Sequence, residues 1–91
     1  MITAFVHIKT DTSSIPESAQ QIAAIEGISE VYSVTGDIDL VAMVRTRDVE
    51  QIADVVTGTI NRIDGVRHTA THIAFKTYSS SDIEDGFSIG E

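Results

Sequence analysis

Ninety-one residues, fourteen of them acidic against six basic, carry a net charge of −8 and no cysteine. That length bounds the chain to one domain that buries about 60–65% of its unfolded surface, and the missing thiols exclude a disulfide or a thiolate-metal staple. The charge argues against direct binding of the isolated chain to nucleic acid or an anionic membrane, because both are held by Lys and Arg and no basic stripe occurs.

Ile2-Thr3-Ala4-Phe5-Val6-His7-Ile8-Lys9 is a β-branched run expected to form the first strand, broken at Asp11-Thr12-Ser13-Ser14. Ser14 with Glu17 has capping-box spacing, Pro16 suits a first helical turn, and Ile15, Ala19, Ile22 and Ile25 follow at helical intervals. Gly27 is expected as that helix's C′ stop. Ile28 to Thr35 and Ile38 to Thr46 then read as a hairpin, joined at Gly36-Asp37 by a two-residue type II′ turn with glycine first. Asp48 with Gln51 repeats the capping pattern, and Val49, Ile52, Ala53, Val56, Ile60 and Ile63 mark one helical face. Gly58 weakens that helix by up to about 1 kcal/mol without ending it. Gly65 closes it, and Val66 to Thr77 is the last strand.

An internal echo supports the order β-α-β-β-α-β. Ile22, Ile25, Glu26, Gly27 and Ile28 recur thirty-eight residues later as Ile60, Ile63, Asp64, Gly65 and Val66. A duplicated β-α-β half predicts an α+β, ferredoxin-like fold, with a four-stranded antiparallel sheet and two helices on one face. The other face is too apolar to be left in water. Val41 and Met43 are as apolar as Leu40, Ala42 and Val44, while Phe5 amid Thr3 and His7, and Phe75 with Ile73, extend the pattern on the outer strands. A second copy is the simplest cover, so a two-fold homodimer is expected. Residues 1–78 form the folded domain in this reading. The Ser- and acid-rich tail, 79–91, is partly disordered or docks a short helical turn through Phe87 and Ile89, with Ser81 and Glu84 as its capping pair.

Chemistry concentrates at the hairpin tip. Gly36 suits the turn, and its bare backbone also admits a ligand carboxylate. Asp37 reads as solvated turn chemistry. Asp39, inside a strand where Asp is disfavoured, is either a strand-end cap or an acceptor for a ligand ammonium. Thr69 and Thr71 share one side of the last strand and offer two hydroxyls. Tyr32 is expected to pack, or to wall a pocket.

His68 and His72 share a face but stand roughly 13 Å apart, too far for one metal ion. His7 lies on another strand where it can approach one of them, or serve as a pH-sensitive contact at an interface. No metal site, cofactor or catalytic set is implied. Ser-His-Asp, phosphate-loop and helical His-x-x-x-His patterns are all missing. No apolar run approaches the roughly 20 residues of a membrane span, and no basic segment with an apolar h-region opens the chain, so a cytoplasmic location is expected.

Strand, capped helix, Gly-Ile-x-x-Val, Val34-Thr35-Gly36-Asp37-Ile38-Asp39-Leu40 and Ile63-Asp64-Gly65-Val66-x-x-Thr69-x-Thr71 together resemble the effector-binding domain of the Lrp/AsnC feast-or-famine regulators, also called the RAM domain. The similarity runs from about Ile2 to Tyr78. It implies a sheet-to-sheet dimer, rings of eight or ten subunits, and a small effector, often an amino acid, held between dimers. Matched residue by residue, the effector site falls on Thr35, Gly36, Asp37, Asp39, Thr69 and Thr71. Ile38 departs from the family pattern, which often has an aromatic before the acid, so the effector's identity does not carry over. Members usually carry an N-terminal helix-turn-helix, and here the first strand starts at Met1. The expectation is a stand-alone sensing domain without direct DNA binding, acting by hetero-association with a full-length regulator. The alternatives are a pure assembly module without ligand and a cofactor-free dimeric α+β barrel enzyme using His7, His72 and Tyr32.

Overall fold

Even-numbered residues from Ile2 onward turn one way and odd-numbered ones the other, and the even set is mostly apolar. The run forms β1 (Ile2–Thr10), with Ala4, Val6 and Ile8 fully buried on one face. In the computed structural model, which describes residues 1–80, there follow α1 (Ile15–Ala23), β2 (Ile28–Ser33), β3 (Leu40–Thr46), α2 (Val49–Gly58) and β4 (Val66–Ala74). The sheet is antiparallel in the order β2-β3-β1-β4, the ferredoxin-like α+β arrangement. The helical turn expected in the tail, with Phe87 and Ile89, lies outside the described residues.

β1 is therefore central, not outer. Ile8 pairs with Leu40 on one side and Thr69 on the other, and Val6 with Ala42 and Thr71. Paired residues share a face. Leu40, Ala42 and Val44 join Ala4, Val6 and Ile8 beneath Ile22 of α1 and Ile52, Val55 and Val56 of α2. Each large side chain buried this way contributes roughly 1.5–3 kcal/mol, and this layer is the core.

Several boundaries differ from expectation, each for a local reason. The Ser14 hydroxyl donates to the Asp11 carbonyl at 3.2 Å inside a 3-10 turn (Thr12–Ser14), so it does not cap α1. The second capping pattern does form: Gln51 N donates to Asp48 Oδ1 at 2.9 Å, and the Gln51 side chain accepts from Arg47 N at 2.8 Å. α2 stops at Gly58, where Thr59 leaves helical geometry, and a separate 3-10 turn (Ile60–Arg62) carries Ile60 into the core. Val49, expected on the apolar face, is half exposed in the first turn. β4 ends at Ala74, so Phe75 lies beyond the sheet and is 96% exposed.

The echo in the sequence is a repeated turn. Ile25-Glu26-Gly27-Ile28 closes with Ile28 N donating to Ile25 O at 3.1 Å, and Ile63-Asp64-Gly65-Val66 closes with Val66 N donating to Ile63 O at 3.1 Å. Glycine holds the third position in both, at φ +99 and +94, as a type II turn requires. Gly27 thus belongs to this turn and not to the end of α1, which stops at Ala23. A side chain at Gly65 would collide with Ser14 Oγ and sit 3.2 Å from Ser18 Oγ on α1.

The uncovered face carries Thr3, Phe5, His7 and Lys9 of β1, Val41, Met43 and Arg45 of β3, Glu30 and Tyr32 of β2, and His68, Ala70, His72 and Ala74 of β4. Ile73 is not on it. Its partner Ala4 is buried, which places Ile73 on the helix side.

Gly65→Ala should destabilise the domain more than Gly36→Ala, because a Cβ at Gly36 meets nothing within 4 Å. Gly36→Ala then carries only the backbone penalty of positive φ, about 1–2 kcal/mol. Denaturant melts of the two variants measure the difference directly.

Candidate functional site

The hairpin tip is held by β1 more than by its own turn. Ladder pairing of β2 with β3 ends at Ser33 and Leu40, and Val34 N donates to Asp39 O at 3.0 Å. The connection is therefore four residues, Thr35 to Ile38, and not the two-residue Gly36-Asp37 turn. Asp39 is what opens it: its N–H donates to Ile8 O at 3.0 Å, and its Oδ2 accepts from Thr10 N at 2.9 Å. The register of β1 on β4 shifts between Lys9 and Thr10, and a carboxylate acceptor there satisfies a backbone donor at the irregularity. Lys9 Nζ reaches across and donates to Asp37 O at 3.0 Å.

These bonds gather Thr35, Gly36, Asp37 and Asp39 at one corner of the sheet. The first three are exposed, and Asp39 is half-buried. Gly36 stands at φ +110 with open space where a Cβ would be. A bare backbone, one carboxylate with an oxygen beyond the Thr10 bond and one amine on Lys9 offer donors and acceptors of both signs.

Thr69 and Thr71 are placed elsewhere. β4 lies across β1 from β3, two strand spacings or about 10 Å away, and both threonines face the helix side. The Thr69 hydroxyl donates to Asn61 Oδ1 at 2.8 Å, beside a 270 Å³ concavity that Arg67, His68 and Thr69 help to line. Thr71 is exposed. Arg67 Nε donates to Asp11 Oδ1 at 2.5 Å, an exposed pair worth less than about 1 kcal/mol.

Lys9 and Asn61 were missed by sequence reasoning. Lys9 lies twenty-eight positions from its acceptor, and only the strand register brings them together. Tyr32 lies on the uncovered face, opposite Val41, and its hydroxyl donates to Glu30. That hydrogen bond, then burial, then the Glu30 charge, hold the phenol above its ordinary pKa. His7 does approach His72, with ring centroids 4.7 Å apart. Among the described residues no group of three or more His, Cys, Asp or Glu is placed to hold a metal ion, and no helix is long and apolar enough to cross a membrane.

Residues 3–83 match the family model of the Lrp/AsnC ligand binding domain. The chain belongs to the Lrp/AsnC family. An uncharacterized HTH-type transcriptional regulator of Pyrococcus horikoshii is 40% identical over 78 residues, 82% of this chain and 52% of the relative. The chain spans about half the length of the curated relatives it matches. The crystal structure of TTHA0845 from Thermus thermophilus superposes with a TM-score of 0.83 at 47% identity, covering 87% of this chain and 99% of that one. A Neisseria meningitidis transcriptional regulator solved as an L-Met complex superposes at 0.77 over 86% of this chain and 52% of that one; at 16% identity it shows the shared fold alone. The curated Lrp/AsnC relatives are named as transcriptional regulators, which favours a regulatory family over the barrel-enzyme alternative. The part of the family that the chain matches is its ligand binding domain.

Two substitutions separate the structural duty of Asp39 from its charge. Asp39→Ala removes the acceptor of Thr10 N and should cost about 1–3 kcal/mol, whereas Asp39→Asn keeps an oxygen there and should cost much less. Urea unfolding of both variants against wild type is the check.

Proposed function

We propose that this Lrp/AsnC domain senses a small zwitterion, an amino acid, at the β2–β3 tip and answers by changing its state of assembly. The observation that carries the reading is the tie of Asp39 to Thr10, which holds a bare, exposed Gly36 beside a carboxylate. Gly36 and the neighbouring amides receive the α-carboxylate, and the remaining Asp39 oxygen receives the α-ammonium. Thr35 and Asp37 border them. Thr69 and Thr71 add polar contacts from a neighbouring copy, because their own chain sets them two strands away. The L-methionine bound by the Neisseria relative supports an amino acid as the class of effector.

Copies pair through the uncovered sheet face, and pairs join into rings of eight or ten. A ligand between pairs binds one assembly state better and shifts populations by that difference in affinity. With a charge of −8, the 91 residues act on transcription through a full-length relative and not by touching DNA themselves. A second reading, an assembly module without ligand, is favoured by one observation: Asp39 and the Asp37 carbonyl are already engaged by Thr10 and Lys9.

Thermal-shift assays against the twenty amino acids decide between these. A ligand at about 100 times its Kd adds about 2.7 kcal/mol, and Asp39→Asn should lose that shift while the oligomer persists. No shift from any amino acid at millimolar concentration leaves the assembly module. Val41→Glu, on the uncovered face, should reduce the assembly to single chains by sedimentation. An unchanged oligomer would rule out pairing through that face.

A further inference from the structure

A larger concavity lies at the other end of β3, about 20 Å along the strand from the tip. Its volume is 590 Å³, within the range of small-molecule pockets. Arg45 and Arg47 line it together with Glu26, Asp54, Gln51 and Val55. These two arginines are a third of the chain's six basic residues, gathered at one spot of an acidic protein. Among the described residues, neither arginine is ion-paired, and neither are Glu26 and Asp54. Arg45 borders it from the uncovered face of the sheet and Asp54 from α2 on the other side, so charges of both signs meet at the rim of one concavity without an ion pair between them.

The backbone beneath them is fixed. Arg45 N donates to Gly27 O at 2.8 Å, Arg47 N donates to Gln51 Oε1 at 2.8 Å, and Gln51 N donates to Asp48 Oδ1 at 2.9 Å. At Gly27 the strand entry passes so close to α2 that a Cβ would lie 3.3 Å from Val55 Cγ2, which closes the floor. Only the long side chains are left to adjust around a guest.

We infer that this concavity is a second ligand site, taking a small zwitterion with its carboxylate on Arg45 and Arg47 and its ammonium between Glu26 and Asp54. Guanidinium matches a carboxylate in a planar, two-bond geometry, and the two acids reject a guest that is purely anionic. Val55 and the Gln51 stem give an apolar floor for a short side chain. Unlike the tip, this site is built within one chain, and it does not depend on the tip reading.

Equilibrium dialysis of the full chain against an equimolar mixture of the twenty amino acids, with bound material quantified by chromatography, tests it. The variants are R45Q/R47Q, E26Q/D54N and Asp39→Asn. These four charged side chains are exposed, so the first two variants should fold, and circular dichroism confirms it. Each should weaken binding about tenfold or more at this site, as expected for loss of charged hydrogen bonds, and lower the amount bound per chain. No amino acid bound to wild type overturns the inference, as does binding unchanged in both double variants. Binding lost only in Asp39→Asn overturns it while leaving the tip reading standing.

Discussion

The two neighbouring strands are both fastened to β1. It hydrogen-bonds β3 on one side and β4 on the other, and it supplies Ala4, Val6 and Ile8 to the core beneath both helices. The register shift at Lys9 and Thr10 is a backbone defect in that central strand, and Asp39 repairs it with a carboxylate. Burying an amide donor unmet costs about 1–3 kcal/mol, so the repair is a strong local constraint. Because the repairing group stands at the root of the hairpin tip, the same bond fixes where Thr35, Gly36 and Asp37 stand. Stability and the position of the tip are joined in one contact.

The sheet explains the division of labour between its faces. The helix side is closed over β1 and β3, and its β4 edge leaves Thr69 half-buried and Thr71 and Ile73 exposed. The other face mixes Phe5, Val41 and Met43 with His7 and His72, whose rings meet at 4.7 Å. A face of that composition suits a second sheet better than water. The tip and the concavity beside α2 stand at opposite ends of β3.

Periodicity made much of this legible in the sequence. Alternation along Ile2–Thr10, the Asp48–Gln51 cap and the acid-Gly echo gave six elements in the right order. The echo proved to be more specific than a helix stop, because both copies form the same turn with glycine at positive φ. Failures came where local pattern competes with tertiary bonds. Gly36-Asp37 looks like a two-residue turn in isolation, but Asp39 answers to β1. Ile60 and Ile63 continue a helical spacing, yet the chain breaks at Gly58 and reaches the core through a 3-10 turn. Ser14 has the spacing of a cap and spends its hydroxyl on Asp11. Of the site, the four tip residues could be found by motif. Lys9, Asn61 and the Arg45–Arg47 concavity required the register of strands that no short-range pattern encodes.

Residue-resolved amide hydrogen exchange of wild type and Asp39→Ala tests most directly whether the carboxylate tie fixes the tip. The Thr10 amide should exchange as slowly as the core amides of β1 in wild type, and both Thr10 and Val34 should lose protection when Asp39 is replaced. A Thr10 amide that exchanges at the rate of an open loop in wild type, or one that stays protected in Asp39→Ala, would contradict it.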